Sequence, residues 1–268
     1  MQQDRCCQKN YWRPNNIDDM EFLEAKLRNC SFALHIHDAF TITSVVKGAL
    51  NLYFKSGEVV LRPGMLFVTG SQVPQGIKKM GQGDYCLYRT VLLGEEFVKK
   101  HFPWFLKEYR SAITLISSPK FYRFFNDAFS DQHLPININS MYFINFLEQI
   151  FSRMHNGTLL EALSLSNDIK IIKDFMDQNF LQSLDVCKLS QIFFFSYSHL
   201  IKKFKSEIGV TPNTYLIQKK IIKARQLLVE GTSMLSIAHD LGFCDQSHFS
   251  NAFKKMLGVT PTQYLKGF

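Results

Sequence analysis

The side chains best suited to chemistry in this 268-residue chain lie in a stretch that occurs twice. Ser198–Leu216 runs SHLIKKFKSEIGVTPNTYL. Ser247–Leu265, 49 residues further on, runs SHFSNAFKKMLGVTPTQYL, and ten of the nineteen aligned residues are identical. Leu200 and Phe204, and in the second copy Phe249 and Phe253, are spaced i, i+4 and share one inward helix face. The opposite face then carries Ser198, Lys202 and Lys205, or Ser247, Asn251 and Lys254. Their chemistry is hydrogen bonding and charge rather than bond-making. Gln246 and Asn251 can pair bidentately with adenine, and Lys202 can donate to guanine. The expected DNA-facing positions are Tyr197, Ser198, Ile201 and Lys202 in copy one. In copy two they are Gln246, Ser247, His248, Ser250 and Asn251. Lys205 and Lys254 suit phosphate better than bases. A unit used twice suits a target that repeats, and B-DNA repeats every ~34 Å.

The surrounding elements must hold those faces outward. Gly209 and Gly258 stop each helix at a left-handed position. Thr211 or Thr260 then caps the next helix, with Pro212 or Pro261 as its first residue. Ahead of copy two, Ser233–Leu241 makes a short amphipathic helix with Ile237 and Leu241 inward. Gly242 allows a tight turn, and Asp245 can cap the following helix. Ahead of copy one, Leu184–Ile192 is the equivalent helix and Phe193–Ser196 the turn, here without glycine. Pro212–Glu230 reads as one helix of about 18 residues, roughly 27 Å long.

These residues closely resemble the DNA-binding domain of the AraC/XylS family of bacterial transcription regulators, from about Asp168 to Phe268. The second motif carries most of the likeness: Ile237-Ala238, Leu241-Gly242-Phe243, Asp245–Phe249, Phe253-Lys254-Lys255, Gly258–Pro261 and Tyr264. The resemblance implies seven helices and two helix-turn-helix units joined by a rigid central helix. It also implies recognition helices in successive major-groove segments, RNA polymerase as a partner and activation as the commoner mode.

Charge agrees with a polyanionic partner without demanding one. Residues 166–268 carry 13 Lys+Arg against 8 Asp+Glu, whereas residues 1–165 carry 18 against 15. The six cysteines, Cys6, Cys7, Cys30, Cys86, Cys187 and Cys244, form neither a CxxC pair nor a zinc spacing. No apolar run approaches the ~18 residues of a membrane helix, and no signal peptide opens the chain. A reducing cytoplasm fits this composition.

Residues 1–31 look weakly structured, with Ile17–Arg28 a short helix or strand. From Phe32 the texture is that of short strands: Phe32–Phe54 broken at Gly48, a hairpin turn at Lys55–Glu58, Val59–Leu61, Met65–Thr69 and Tyr85–Leu93. Ser71–Gly76 reads as loop. Such strands at turn-separated intervals indicate a small sandwich or barrel. With His35-Ile-His37, Gly48, Gly57 and Pro63-Gly64, the region resembles the cupin-like, double-stranded β-helix effector domain of many AraC/XylS regulators. A metal cupin would add a Glu soon after His37 and a His after Pro63-Gly64. Thr41-Ile42 and Phe67-Val68 stand there instead, so two histidines cannot close a metal site, and no metal or other cofactor is expected. The expected pocket for a small organic effector is lined by His35, His37, Phe40, Tyr53, Tyr88 and Arg89. Alternation keeps Tyr88 and Arg89 from both pointing inward.

From Glu95 the chain reads as helical. Phe97–Tyr109 breaks at Pro103, and Pro119–Ser130 and Ser140–His155 follow. On the last, Tyr142, Phe146, Ile150 and Met154 form one stripe and Phe143, Leu147 and Phe151 its neighbour. That face packs on the strands, and relatives suggest that it also serves a homodimer. Asn156-Gly157 ends the helix. The expected organisation is α+β in two domains: a cupin-like effector and dimerisation domain at 1–157, a linker at 158–167, and a DNA-binding domain at 168–268. The leading function is an effector-responsive regulator that binds a double-stranded DNA operator. Two alternatives are a cupin-type metalloenzyme with an accessory nucleic-acid module, and a ligand-independent DNA-binding protein. No Ser/His/Asp, Walker or Rossmann pattern supports an enzyme.

Overall fold

Alternating apolar residues set much of the chain up to Leu160 into strands. These are β1 (Cys7–Trp12), β2 (Met20–Leu27), β3 (Ser31–His35), β4 (Ala39–Lys47), β5 (Ala49–Phe54), β6 (Gly57–Leu61), β7 (Met65–Thr69), β8 (Gln75–Met80), β9 (Cys86–Gly94), β10 (Ile113–Ser117) and β11 (Thr158–Leu160). The computed structural model describes residues 7–14, 19–28, 31–105, 112–129, 141–155, 158–160, 165–182 and 184–267. Seven strands form one sheet in the order β1-β2-β9-β4-β7-β10-β11, and four form a second in the order β3-β8-β5-β6. Chain contacts divide the molecule into two compact units. Met1–Ala33, His37–Ala162 and Gly267–Phe268 make the first, and Leu34–Ile36 with Leu163–Lys266 the second.

In the first unit the large sheet has two different faces. Phe40 and Ile42 of β4 sit opposite Leu93 and Val91 of β9. They join α1 (Glu95–His101), α2 (Pro119–Asp127) and α3 (Met141–His155) in one buried core. Phe105 stacks on Phe151 at 3.9 Å, and Phe40 leans on Phe105 at 5.1 Å. Each such ring contributes roughly 1.5–3 kcal/mol by burial. Residues of the alternate register face the other way. Phe67 of β7 stacks on Phe54 of β5 at 5.6 Å, closing the space between the sheets. Gly48 makes the β4–β5 turn at φ 84°, where a Cβ would meet the Tyr85 carbonyl at 3.0 Å.

Four sequence expectations need correction. Cys7–Trp12 is a paired strand, not weakly structured chain, and Met20–Leu27 takes the strand alternative of Ile17–Arg28, paired along its whole length. Charged Lys9, Glu21 and Glu24 mask their alternation, and buried Glu21 pairs with Arg13 at 2.7 Å. Gln75–Met80 is a strand between β3 and β5 whose two lysines hid it, overlapping the expected loop. Ile113–Ser117 interrupts the expected helical run and pairs with β7. Thr158–Leu160, inside the expected linker, pairs with β10. The expected helix end at Asn156-Gly157, with Cys6 and Cys30, lies outside the described residues.

The second unit is helical: α4 (Asn167–Asn179), α5 (Val186–Ile192), α6 (Tyr197–Ile208), α7 (Pro212–Val229), α8 (Met234–Asp240), α9 (Gln246–Leu257) and α10 (Pro261–Leu265). These are the seven helices that the family resemblance implied. Its entry is pinned to α6. Glu207 accepts hydrogen bonds from the backbone N–H and hydroxyl of Ser166, both at 2.8 Å, and Lys203 pairs with Asp168. Among the described residues, no helix is long and apolar enough to cross a membrane.

Candidate nucleic-acid interface

The two repeated stretches fold alike because the same residues punctuate them. Asp185 caps α5 by accepting from Lys188 N at 2.8 Å, and Ser233 caps α8 from Ser236 N at 3.1 Å. Ser196 and Asp245 cap the recognition helices α6 and α9, accepting from His199 N at 3.3 Å and His248 N at 2.7 Å. Gly209 (φ 95°) and Gly258 (φ 81°) end them in the left-handed region. Thr211 and Thr260 cap the next helices, and Thr260 completes a capping box with Gln263. Each such cap is worth about 1 kcal/mol.

Packing repeats as faithfully. Leu200, Phe204 and Ile208 are buried in copy one, and Phe249, Phe253 and Leu257 in copy two. Phe204 meets Tyr215 edge-on at 5.7 Å, and Phe253 meets Tyr264 edge-on at 5.5 Å. The two tyrosine hydroxyls differ in use. Tyr215 donates to Asp177, which also pairs with Lys173 and Lys219. Burial pushes the Asp177 carboxyl up, but Lys219, Lys173 and these hydrogen bonds outweigh it and leave its pKa below the ordinary value. Tyr264 instead accepts from buried Arg225 at 3.3 Å.

With the apolar faces inward, the recognition faces are left in solvent. Tyr197, Ser198 and Lys202 of α6 are exposed, as are Gln246, Ser247, His248 and Asn251 of α9. Ile201 and Ser250 are half-buried at the edge of those faces. His248 also steadies its own turn. Its Nδ1 accepts from Cys244 N at 3.4 Å, and its ring lies edge-on to Phe243 at 5.4 Å. The sequence did not single out Phe194, the fully exposed residue of the first turn. The missing glycine pointed to this turn but not to the residue that takes the left-handed backbone.

The structure does not gather the six expected effector residues on one surface. Phe40 lies in the aromatic stack under the helices. Arg89 faces the same layer, pairing with Glu24 at 2.8 Å and donating to the Asn126 carbonyl at 3.0 Å. Tyr88 is buried on the opposite face of β9, as alternation required. Tyr53 points away from the Leu50, Leu52 and Phe54 side of β5, and its hydroxyl donates to the Phe32 carbonyl at 2.7 Å. His35 and His37 are half-buried near the end of β3. The expected Glu and His positions of a metal cupin hold Thr41, hydrogen-bonded to Thr69, and Phe67, stacked on Phe54. Among the described residues, no group of three or more His, Cys, Asp or Glu is placed to hold a metal ion.

Comparison with known proteins bears on both units. A family model described as "Helix-turn-helix domain" matches residues 189–267, and one described as "AraC-like ligand binding domain" matches residues 19–100. An uncharacterized HTH-type transcriptional regulator of Bacillus subtilis (strain 168), YbfI, is 25% identical over 235 residues, 80% of each chain. A probable transcriptional regulator of Photobacterium leiognathi, LumQ, is 36% identical over 110 residues, 38% of this chain and 44% of that one. The fold is shared with ToxT from Vibrio cholerae. One crystal form gives a TM-score of 0.61 at 13% identity over 98% of this chain and 99% of that one. An unsaturated-fatty-acid-bound form of ToxT gives 0.56 at 14% identity over 97% and 94%.

Proposed function

This chain belongs to the AraC/XylS family of transcription regulators, and from that premise we propose that it activates transcription in response to a small organic effector. It is a sequence-specific DNA-binding regulator with an N-terminal ligand-binding domain and a C-terminal pair of helix-turn-helix motifs. One observation carries the reading of its target. Two recognition helices with exposed polar faces flank an unbroken 18-residue helix, Pro212–Val229. At ~1.5 Å per residue that helix spans about 27 Å, close to one turn of B-DNA. The operator then offers two successive major-groove segments on one face. Selection of binding sites from random DNA by the full chain tests this. The expected outcome is a bipartite motif with centres about 10 base pairs apart, and a single short block would contradict it.

The rest of the reading is finer. We assign no catalytic activity: the chain acts by binding DNA in the cytoplasm and by contacting RNA polymerase there. The effector is an organic molecule held by the β-unit without a metal. ToxT, which shares the fold, has been crystallised with an unsaturated fatty acid, and a hydrophobic carboxylate is the first class to screen here. Homodimerisation uses the outer face of α2 and α3. Both expected stripes of α3 are buried in the unit's own core, from Phe143 to Met154. Tyr142 remains 78% exposed, beside a groove of about 590 Å³ with Phe124 and Phe146 in its lining.

A further inference from the structure

The two turns that lead into the recognition helices differ in length and in chemistry. In copy two, α8 ends at Asp240 with Leu241 as its C-cap, Gly242 turns left-handed at φ 66°, and Phe243 N returns to the Ala238 carbonyl at 2.8 Å. In copy one, α5 ends at Ile192 with Phe193 as its C-cap, Phe194 turns left-handed at φ 54°, and Phe195 N returns to the Ser190 carbonyl at 2.9 Å. Copy two then adds Cys244 before its cap, Asp245, whereas copy one passes directly to its cap, Ser196. Phe194 thus stands where the other motif has glycine.

Among the described residues, no packing accounts for a phenylalanine there. A bulky L-residue in the left-handed region is strained, and Phe194 gains no burial in return, being 96% exposed. Among the described residues, Asp19 is the other non-glycine with positive φ. Such outliers concentrate at functional sites. Around Phe194, beside exposed Gln191, Ser196 and Ser198, apolar side chains reach the surface: Ile192 is 46% exposed, Tyr197 51%, and half-buried Ile201 follows one helical turn on. At the matching places copy two carries Gly242, Gln246 and Ser250. At these three places copy one is apolar and copy two offers hydrogen bonds, while Ser198 and Lys202 keep the rest of copy one's face polar. In the major groove, the group that meets an apolar side chain is the thymine C5 methyl.

We propose that copy one recognises a thymine-bearing half-site through methyl contacts, with Phe194 a specificity-determining residue beside Tyr197 and Ile201, while copy two reads its half-site by hydrogen bonds. This rests on the DNA-binding reading above and names the chemistry of one half of the target.

The test uses the full chain and sites that it selects from random DNA. The half altered by Asn251→Ala belongs to copy two, which identifies the other half. Deoxyuridine then replaces thymine there, one position at a time, removing only the methyl. Binding should weaken about fourfold at each contacted methyl, the worth of one buried methyl group. Phe194→Gly and Phe194→Asn both suit the left-handed backbone, so the motif still folds. Each should bind the thymine site more weakly and lose the thymine-to-uridine difference at one position. Two results would overturn the proposal: the wild-type ratio at every position in both variants, or full operator affinity with lost activation, which would put Phe194 against a protein partner. A chain that selects no DNA sequence would remove the DNA-binding reading itself, and this proposal with it.

Discussion

Tyr215 donates a 2.6 Å hydrogen bond to Asp177, tying the long helix α7 to α4 at a carboxylate that also holds Lys173 and Lys219. Four groups meet there, so a change at Asp177 strands several donors. Asp177→Asn should cost about 1.5–3 kcal/mol at neutral pH, the worth of hydrogen bonds to a charged group. Urea unfolding measures it. The pH dependence has a defined sign. The folded pKa lies below 3.8, so the contribution is present above that value and fades as pH falls through the folded one. Wild type and variant should draw together as pH falls below 3.8 and converge only below the folded pKa. Asp168, held down to about 2 by hydrogen bonds from Lys203 and Ser166, extends the same acid loss.

The central helix should behave as a rigid spacer. Lys223→Pro removes a backbone donor in mid-helix and clashes with the turn before it, costing ~3 kcal/mol or more. Circular dichroism should show the lost helix. Operator affinity should fall further than either motif's own contacts explain, because the two can no longer engage together.

Asn251 is exposed on α9, in the polar recognition face. Asn251→Ala should relax preference at one or two base pairs, each worth about 1–3 kcal/mol. Site selection with variant and parent decides it. Identical sequence preferences would remove Asn251 from the list of readers.

Arg89 should prove to be a strut of the β-unit. It joins Glu24 on β2 to Asn126 at the end of α2, and its guanidinium lies over Phe129 at 5.2 Å. Arg89→Met leaves Glu24 without this partner and should destabilise the unit by about 2 kcal/mol. Adding Glu24→Gln should restore part of the loss. Unchanged unfolding in Arg89→Met would return Arg89 to the effector candidates.

The helical unit was legible in the sequence because its punctuation is local. Gly209, Gly258, Thr-Pro and Asp245 each fix a backbone choice within four residues, and each takes its expected place. Phe194 escaped because three phenylalanines in a row give no local reason why one should turn left-handed. The β-unit was half legible. Strands with β-branched runs were found, while β1, β2 and β8 carry charges whose partners, such as Arg13 for Glu21, lie elsewhere in the chain. The effector residues were chosen by type and alternation, and alternation cannot say which face of a sheet helices will cover. That is why Phe40 and Arg89 lie under α2 and α3.

The central claim is that two helix-turn-helix motifs bind one face of DNA as a coupled pair. Inserting five base pairs between the two halves of a selected operator turns one half to the opposite face. Titration of full-length protein on both DNAs, across a salt series, is the most direct test. On the parent operator, affinity should fall linearly with salt on logarithmic axes, with a slope set by the phosphates neutralised. On the lengthened operator it should drop towards that of one half alone. Equal affinity for the two DNAs, or binding indifferent to salt, would contradict the account.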